Sequence, residues 1–367
     1  MPWPSNGTRA KSVLIAASIG SLLVASRSPG QAAHLAVQRT ASQEPVELYQ
    51  GPRPKHIELP ECRRGSRTGD PKTCSTLRDG SEGWADVNFM VDPTGKPFEV
   101  TVIRSTGNKE VEAMAIKAIQ ASTFVPASLN GKPIESGLEL KFKLLDQGLY
   151  YGAKREFIAA YETLVKAVNA DDRAAADAAM QGLKITNLYE DASYGMATYL
   201  YAKKWGDETQ QLDGLLRAIA EEKDAHFLPS NMFKLALRVS MQLQVQMRLY
   251  AEALATFEKL QKLGMDKDTA ARLTPVVEQL KQLRSDDAAY EITGAMPEGN
   301  WHLHLFKRHF RAKVSEGYIS QVKLRCEKHY IFFAFDPGLE YQVASKDGDC
   351  WMELLGAPGT RFELTQF

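Results

Sequence analysis

Two runs of alternating apolar and polar residues, joined by a turn, constrain the fold of this chain more than any other feature. The apolar positions are Ala85, Val87, Phe89 and Val91 in the first run and Phe98, Val100 and Val102 in the second. A period of two is typical of a β-strand with one buried face, which leaves Asp86, Asn88 and Met90 on the other face. Asp92-Pro93-Thr94-Gly95 supplies turn chemistry between the runs. The pattern predicts a β-hairpin.

A helix and a further strand are predicted to follow the hairpin. Asn108 can cap a helix that continues to about Ala121, with Glu110 and Glu112 in the first turn, where the helix dipole favours acidic side chains. Alternation then returns at Leu138, Leu140, Phe142 and Leu144. We therefore expect the order strand, strand, helix, strand, which forms a small antiparallel sheet with a helix on its apolar face.

Three stretches of this region carry a more specific pattern. They are Gly83-Trp84-Ala85-Asp86-Val87-Asn88-Phe89-Met90-Val91-Asp92-Pro93-Thr94-Gly95, Val100-Thr101-Val102-Ile103-Arg104-Ser105-Thr106-Gly107, and Phe124-Val125-Pro126-Ala127 with Asn130-Gly131-Lys132-Pro133. In this order they resemble the C-terminal domain of the TonB energy-transducer family, over residues 82–145. The positions that match the family motif are Gly83, Val87, Phe89, Val91, Gly95, Val100, Val102, Ser105, Gly107, Phe124, Pro126, Ala127 and Gly131.

The resemblance implies a binding role. In TonB-family domains the last strand lies at the sheet edge and pairs with an extended peptide from an outer-membrane receptor, which is β-augmentation. The corresponding edge here is Gly137, Leu138, Glu139, Leu140, Lys141, Phe142, Lys143 and Leu144. We expect Glu139, Lys141 and Lys143 to point outward, either toward a partner or as ordinary solvating charges that protect the edge from aggregation.

The position of this region departs from the family pattern. An energy transducer needs a membrane anchor that couples to an inner-membrane motor, and it usually has a long proline-rich span. Here the TonB-like region lies near the start of the chain, after a modest proline-bearing linker and an expected disulfide loop at 33–81. We therefore expect partner binding without energy transduction, with a receptor segment of the outer membrane as one candidate partner.

The N-terminus predicts export. Arg9 and Lys11 precede an apolar run of about 13 residues from Val13 to Ala25, followed by small residues up to Ala32. This run is shorter than the roughly 20 residues that cross a bilayer as a helix. We predict a cleaved signal peptide at 1–32 and a periplasmic protein. The alternative is an uncleaved segment that anchors the chain in the inner membrane, facing the periplasm.

The four cysteines fit an exported protein. Cys62 and Cys74 form one local pair, and Cys326 and Cys350 form another. An even number in an oxidising compartment suggests two disulfides, each worth roughly 3 kcal/mol. Neither pair has the tight spacing of a zinc site, which is the competing interpretation.

The rest of the chain divides into a helical part and a strand-rich part. From 148 to 285 apolar residues recur at helical spacing, and Tyr250–Leu260 resembles the second helix of a tetratricopeptide unit, with Ala253 and Phe257 as the packing positions. This predicts a degenerate array of helical hairpins, which either binds a partner or acts as a spacer. From 290 to 367 short alternating runs predict a small all-β domain. The expected class is thus α+β and multidomain.

No chemistry-bearing motif is found. The sequence contains no nucleophile elbow, zinc-protease helix, phosphate-binding loop or dinucleotide fingerprint, so we expect no enzyme activity and no cofactor. Lysine plus arginine and aspartate plus glutamate balance at 45 each, which gives no general attraction to nucleic acid.

One histidine cluster and one basic stretch remain. His302, His304 and His309 could suit a metal, but their apolar neighbours Trp301, Leu303 and Leu305 would fill the buried face and leave the histidines solvated. The basic residues near them are Lys307, Arg308, Arg311, Lys313, Lys323, Arg325 and Lys328. They predict a solvated positive face, or a surface for an anionic envelope component. The sequence predicts a binding protein for a protein or peptide partner, or else an envelope scaffold that uses its helical array.

Overall fold

The computed structural model describes residues 48–58, 82–144, 152–220 and 227–367. The predicted signal segment, most of the linker and the Cys62–Cys74 pair lie outside these residues, and those predictions stay open. Within the described part, no helix is both long and apolar enough to cross a bilayer. The mixture of strands and helices confirms the expected α+β class.

The first part of the described chain contains one large sheet and two small ones. Its elements are β1 Tyr49–Gln50, β2 Arg53–His56, β3 Gly83–Val91, β4 Pro97–Ser105, α1 Lys109–Ala121, β5 Thr123–Val125, β6 Ala127–Leu129, β7 Lys132–Ile134 and β8 Ser136–Leu144. The large sheet has the order β4-β3-β8, and β3 is antiparallel to both neighbours. The small sheets are β1-β6-β7 and β2-β5. Residues expected to belong to the linker thus form β1 and β2.

The turn and the helix cap form where the sequence predicts them. The Asn108 side chain accepts the backbone N–H of Glu110 at 2.9 Å and caps α1. Between β3 and β4, Gly95 has a φ of +87°, and a Cβ added there would lie 2.2 Å from the carbonyl oxygen of Phe124. Only glycine fits this position, because any side chain would meet the backbone of the segment after α1.

β3 is buried along its whole length, so the prediction of a single buried face is wrong. The residues that pack under α1 are Ala85, Val87, Phe89 and Val91, as expected. The residues of the opposite face, Trp84, Asp86, Asn88 and Met90, are at most 6% exposed. Trp84 packs against Leu188 and Ala220 of the helical region. The helical region covers the Trp84 end of a face that looks solvent-facing in the sequence because of its polar residues.

The helical part contains α2 Arg155–Asn169, α3 Arg173–Gly182, α4 Leu188–Trp205, α5 Glu208–Ala218, α6 Ser230–Gln246, α7 Tyr250–Lys262 and α8 Lys267–Ser285. The helices pack mainly in consecutive pairs: α2 with α3, α4 with α5, and α6 with α7. The closest approach is between α4 and α5, where a Cβ added to Gly195 would lie 2.5 Å from the backbone nitrogen of Ala218. The two helix backbones therefore touch at this point, which fixes the α4/α5 pair that faces Trp84.

The C-terminal part is made of strands. They are β9 Tyr290–Met296, β10 Asn300–His304, β11 His309–Glu316, β12 Ile319–Cys326, β13 Tyr330–Ala334, β14 Tyr341–Gln342, β15 Cys350–Gly356 and β16 Thr360–Gln366. Two four-stranded antiparallel sheets result, with the orders β10-β15-β12-β13 and β14-β11-β16-β9. The predicted disulfide Cys326–Cys350 is confirmed, and it joins the end of β12 to the start of β15.

Candidate functional site

β8 lies at the edge of the large sheet, and β3 is its only strand partner among the described residues. The Thr106 N–H donates to the Trp84 carbonyl at 3.1 Å, so the backbone groups of Trp84 point toward the β4 side. Hydrogen-bonding direction alternates along an antiparallel strand, so the backbone groups of Ala85 point toward β8. Ala85 is paired with Phe142, which therefore directs its own backbone groups at β3.

The same alternation identifies the outward backbone groups of β8. They belong to Gly137, Glu139, Lys141 and Lys143, which lie between the residues that bond to β3. Within the described chain, the backbone N–H and C=O of Glu139 and Lys141 have no hydrogen-bond partner. These two residues present unpaired donors and acceptors at the edge of a sheet.

The start of β8 is less open than its middle. A Cβ added to Gly137 would lie 3.0 Å from the carbonyl oxygen of Cys326, so β12 covers one face of the strand at this end. The Ser136 hydroxyl donates to the carbonyl of Glu327, and the Tyr49 hydroxyl lies 2.9 Å from the Ser136 hydroxyl. The accessible stretch of the edge is therefore centred on Glu139 and Lys141.

The side chains of β8 do not all point to solvent. Glu139 is exposed, as expected, but the Lys141 ammonium lies 2.9 Å from a carboxylate oxygen of Asp86 and 4.3 Å from the ring centroid of Trp84. Asp86 also pairs with Arg104 at 3.1 Å. Lys141 thus neutralises a buried carboxylate, and the expectation that it points outward is wrong. The cause is the covered second face of the sheet, since Asp86 there needs a cation.

A buried polar network connects the sheet to the helices. The Trp84 indole N–H donates to Asp191 of α4 at 2.9 Å, and the Arg217 guanidinium of α5 donates to the same carboxylate at 2.7 Å. Arg217 also donates to the carbonyl of Thr106 at 2.9 Å. Burial raises the pKa of Asp191, although Arg217 and Trp84 act in the opposite direction. The network therefore holds Trp84 of β3, and Thr106 just after β4, against α4 and α5.

A second contact fixes the β4 strand against the C-terminal sheet. Glu99 has a φ of +50°, which is costly for a residue with a side chain, and it lies in a bulge of β4 opposite β3. Its carboxylate pairs with Lys323 at 2.7 Å, and its carbonyl accepts a hydrogen bond from Arg325 at 3.2 Å. Partial burial by itself raises the pKa of Glu99. The hydrogen bond from Lys323 and the positive charges of Lys323 and Arg325 outweigh burial, so the pKa of Glu99 lies below its ordinary value.

The matched motif positions lie mostly in the core and in turns. Phe89 and Phe124 contact each other with ring centroids 5.1 Å apart, and the Ser105 hydroxyl donates to Glu112 of α1 at 2.6 Å. Gly95 and Gly131 have positive φ values in turns. The motif residues therefore shape the sheet and its helix, and none of them belongs to β8.

Two of the histidines and two of the basic residues of the C-terminal part are packed into the fold. His302 and His304 pack on Trp351, so the expectation that they are solvated is wrong, and burial lowers the pKa of His304 to about 4. Lys307 is buried and pairs with Asp286, while Arg325 is buried against Glu353. The basic stretch is therefore not one solvated face. Among the described residues, no group of His, Cys, Asp and Glu side chains could hold a metal ion.

Glu252 on α7 is a buried carboxyl that the sequence pattern did not single out. One of its oxygens accepts the backbone N–H of His304 at 3.1 Å, and the other is buried with no partner in the described chain. Burial raises the pKa of Glu252 to about 7. The nearby hydroxyl of Tyr290 is also buried and unpaired, and burial together with the charge of Glu252 raises the pKa of Tyr290.

We expect Glu252→Gln to stabilise the protein at pH 8 and to leave its stability nearly unchanged at pH 4. A raised folded-state pKa means that the acid form is favoured by folding, so this contribution is complete below the unfolded pKa and is lost as pH rises through about 7. Glutamine mimics the acid form at every pH, and the gain at pH 8 should be about 1–3 kcal/mol. Urea unfolding at both pH values measures it.

Glu258→Gln on the exposed side of the same helix is the matched control, and its effect should be small and independent of pH. An equal effect of Glu252→Gln at pH 4 and pH 8 would contradict the assignment.

No curated protein matches this chain. Residues 76–144, which include β3, β4, α1 and the β8 edge, match the family model described as the Gram-negative bacterial TonB protein C-terminal domain.

Proposed function

We propose that this protein is a periplasmic TonB-like protein that binds an extended protein segment by strand addition along β8. The family whose model matches residues 76–144 is periplasmic and associated with envelope transport in Gram-negative bacteria. A segment of an outer-membrane receptor is the partner that this similarity favours. The observation that carries the proposal is the row of outward, unpaired backbone groups at Glu139 and Lys141.

The surroundings of β8 support strand addition. The strand is backed by β3, which is buried on both faces, and Lys141 is held by Asp86 and Trp84. An edge held this firmly does not have to be ordered when a partner arrives, so most of the entropic cost falls on the incoming segment. Glu139 is the charged side chain that remains exposed on the accessible stretch and can act on partner selection.

We expect Glu139→Pro to weaken peptide binding by roughly five- to tenfold, because it removes one outward N–H that a partner strand would use. This N–H bonds nothing in β3, and edge strands tolerate proline where the N–H faces outward, so the fold should persist. Fluorescence anisotropy with labelled peptides from receptor plug segments, titrated with the full chain, measures the affinity.

Glu139→Ala is the matched control, since it removes the same carboxylate but keeps the N–H. Equal losses in the two variants would show that charge and not strand pairing governs binding, and no binding to either variant or to the wild-type chain would exclude the receptor segment as partner.

The alternative is an envelope scaffold in which the helices bind the partner. A groove of about 410 Å³ lies between α7 and α8, with an apolar floor that includes Leu254, Phe257 and Val277. Ala253 and Phe257 are buried, as expected for a tetratricopeptide-like helix. If a partner recovered from envelope extracts remains bound to the Glu139→Pro variant, this second function is favoured.

A further inference from the structure

β13 is an edge strand of the C-terminal part, and it pairs only with β12 among the described residues. The Phe335 N–H donates to the Ser320 carbonyl at 3.0 Å, and the Cys326 N–H donates to the His329 carbonyl at 2.9 Å. These two bonds show that the odd-numbered residues of this segment direct their backbone groups at β12. The backbone groups of Tyr330, Phe332 and Ala334 therefore face away from the sheet.

In the outward-facing row of backbone groups, the Tyr330 N–H is hydrogen-bonded, whereas the groups that follow it are open. The Tyr330 N–H donates to the Glu135 carboxylate at 3.0 Å, and this carboxylate also contacts His329. Within the described chain, the backbone groups of Phe332 and Ala334 have no hydrogen-bond partner. Asp336 and Pro337 end the stretch. The open edge is thus short and is bounded at both ends.

This edge lacks most of the protection that natural sheet edges carry. The stretch Tyr330-Ile331-Phe332-Phe333-Ala334-Phe335 contains no charged residue and no proline, and Phe332 is 62% exposed. β8, in contrast, carries Glu139, Lys141 and Lys143 along its edge. A charge-free, exposed, aromatic edge strand favours pairing with another strand, and its short length is the one safeguard that it retains.

An aromatic row leads to the open edge. The Phe98 ring meets the Tyr330 ring edge-on at a centroid distance of 5.7 Å, and Tyr330 stacks with Phe332 at 5.7 Å. Phe332 lies across from Lys323 of β12, so this row lies on the sheet face that Glu99 and the β4 bulge contact. A strand added beside β13 would extend this face, and an aromatic residue opposite Phe332 would continue the row.

We propose that β13 pairs antiparallel with β13 of a second copy of this chain, with Phe332 opposite Phe332 on a two-fold axis. In this register the two Phe332 residues exchange both of their backbone hydrogen bonds. The Ala334 N–H then donates to the partner's Tyr330 carbonyl, and the small Ala334 lies opposite a large tyrosine on each side. The two four-stranded sheets β10-β15-β12-β13 are joined into one continuous eight-stranded sheet across an isologous interface.

Three observations favour a second copy over an unrelated strand. The open groups, which are the Tyr330 carbonyl, both backbone groups of Phe332 and the Ala334 N–H, are self-complementary about Phe332. In the dimer the Glu135 carboxylate leaves the Tyr330 N–H to make room for the Ala334 carbonyl of the second copy. The strand has no charge, so the homotypic contact involves no like-charge repulsion across the axis. The aromatic row of each copy would meet its equivalent at Phe332. The interface is small, so the expected dimer is weak and depends on concentration.

Sedimentation velocity of the full chain over a range of concentrations tests the proposal. We expect a reversible dimer in the wild-type chain and a dissociation constant raised by at least about tenfold in Phe332→Lys, because two ammonium groups then face each other on the axis. Ile158→Lys is the matched control, since it places the same charge on an exposed apolar position of α2, and it should leave the dimer unchanged.

A charge-swap experiment gives a sharper test. Mixing Phe332→Lys with Phe332→Glu should restore dimers that contain one copy of each, and hydrogen exchange at Phe332 and Ala334 should slow when they form. A wild-type chain that stays monomeric at every concentration, or a dimer that Phe332→Lys leaves intact, would overturn the proposal. Peptide binding along β8 is measured separately with the same variants and is expected to be unaffected, so failure of either proposal can be recognised.

Discussion

Arg217→Met is expected to lower the free energy of unfolding by about 3–5 kcal/mol, which is the usual cost of removing one partner of a buried ion pair. The Asp191 side chain is 2% exposed. Trp84 and Arg217 both donate hydrogen bonds to its carboxylate, so without Arg217 the Trp84 indole N–H is the donor of this pair that remains. Thr106 also loses the hydrogen bond to its carbonyl. Urea unfolding of the full chain at neutral pH, followed by circular dichroism, measures the loss.

A double variant separates charge from packing in this network. Asp191→Asn combined with Arg217→Met leaves no unpaired charge and keeps an acceptor for Trp84, so we expect it to recover at least about 1 kcal/mol relative to Arg217→Met alone. Hydrogen exchange should show the loss concentrated at the Trp84 end of β3 and at α4. If the single variant costs less than about 1 kcal/mol, the network does not hold the sheet to the helices.

Removal of the Cys326–Cys350 bridge should destabilise the C-terminal strands by ~3.5 kcal/mol in the chain-entropy model of a loop with this sequence separation of 24. Replacing both cysteines by alanine tests this without affecting Cys62 and Cys74. The disulfide constrains the unfolded chain, so the native strand pairing should survive with a lower melting temperature. Hydrogen exchange across β12 and β15 reports the effect locally.

A reducing agent provides the control for the disulfide. It should lower the stability of these strands in the wild-type chain and should have no further effect on them in the double alanine variant. If the wild-type strands melt at the same temperature with and without the reducing agent, the bridge contributes nothing to stability.

The features that could be predicted from the sequence depend on neighbouring residues. The cap at Asn108, the turn at Gly95 and the alternation under α1 involve contacts within a few positions or a single period. The Cys326–Cys350 pairing can also be predicted, because the sequence holds only two local pairs of cysteines and the export that we predict would favour their oxidation. Local sequence patterns of this kind predict structure most directly, because few alternative conformations are compatible with them.

The features that escaped prediction depend on distant segments. Asp86 and Asn88 look like solvent-facing residues in an alternating strand, but both are buried in the folded chain. Trp84 on the same face packs against Leu188 and Ala220, which lie more than a hundred positions later. Trp84 and Asp191 are separated by 107 positions, and no spacing rule joins an indole to a carboxylate over that distance. The burial of His302 and His304 beside Trp351 also depends on a distant segment, because β15 pairs with β10 only in the folded chain.

The covered second face of β3 has a consequence for how this protein can be divided. The matched segment 76–144 does not supply all of its own packing, because excising it would expose Trp84, which packs against Leu188 and Ala220 and donates to Asp191. A truncated copy of this segment is therefore expected to be less stable than the same segment with its helical neighbours. In this chain the stable folding unit that we expect is the sheet together with α4 and α5.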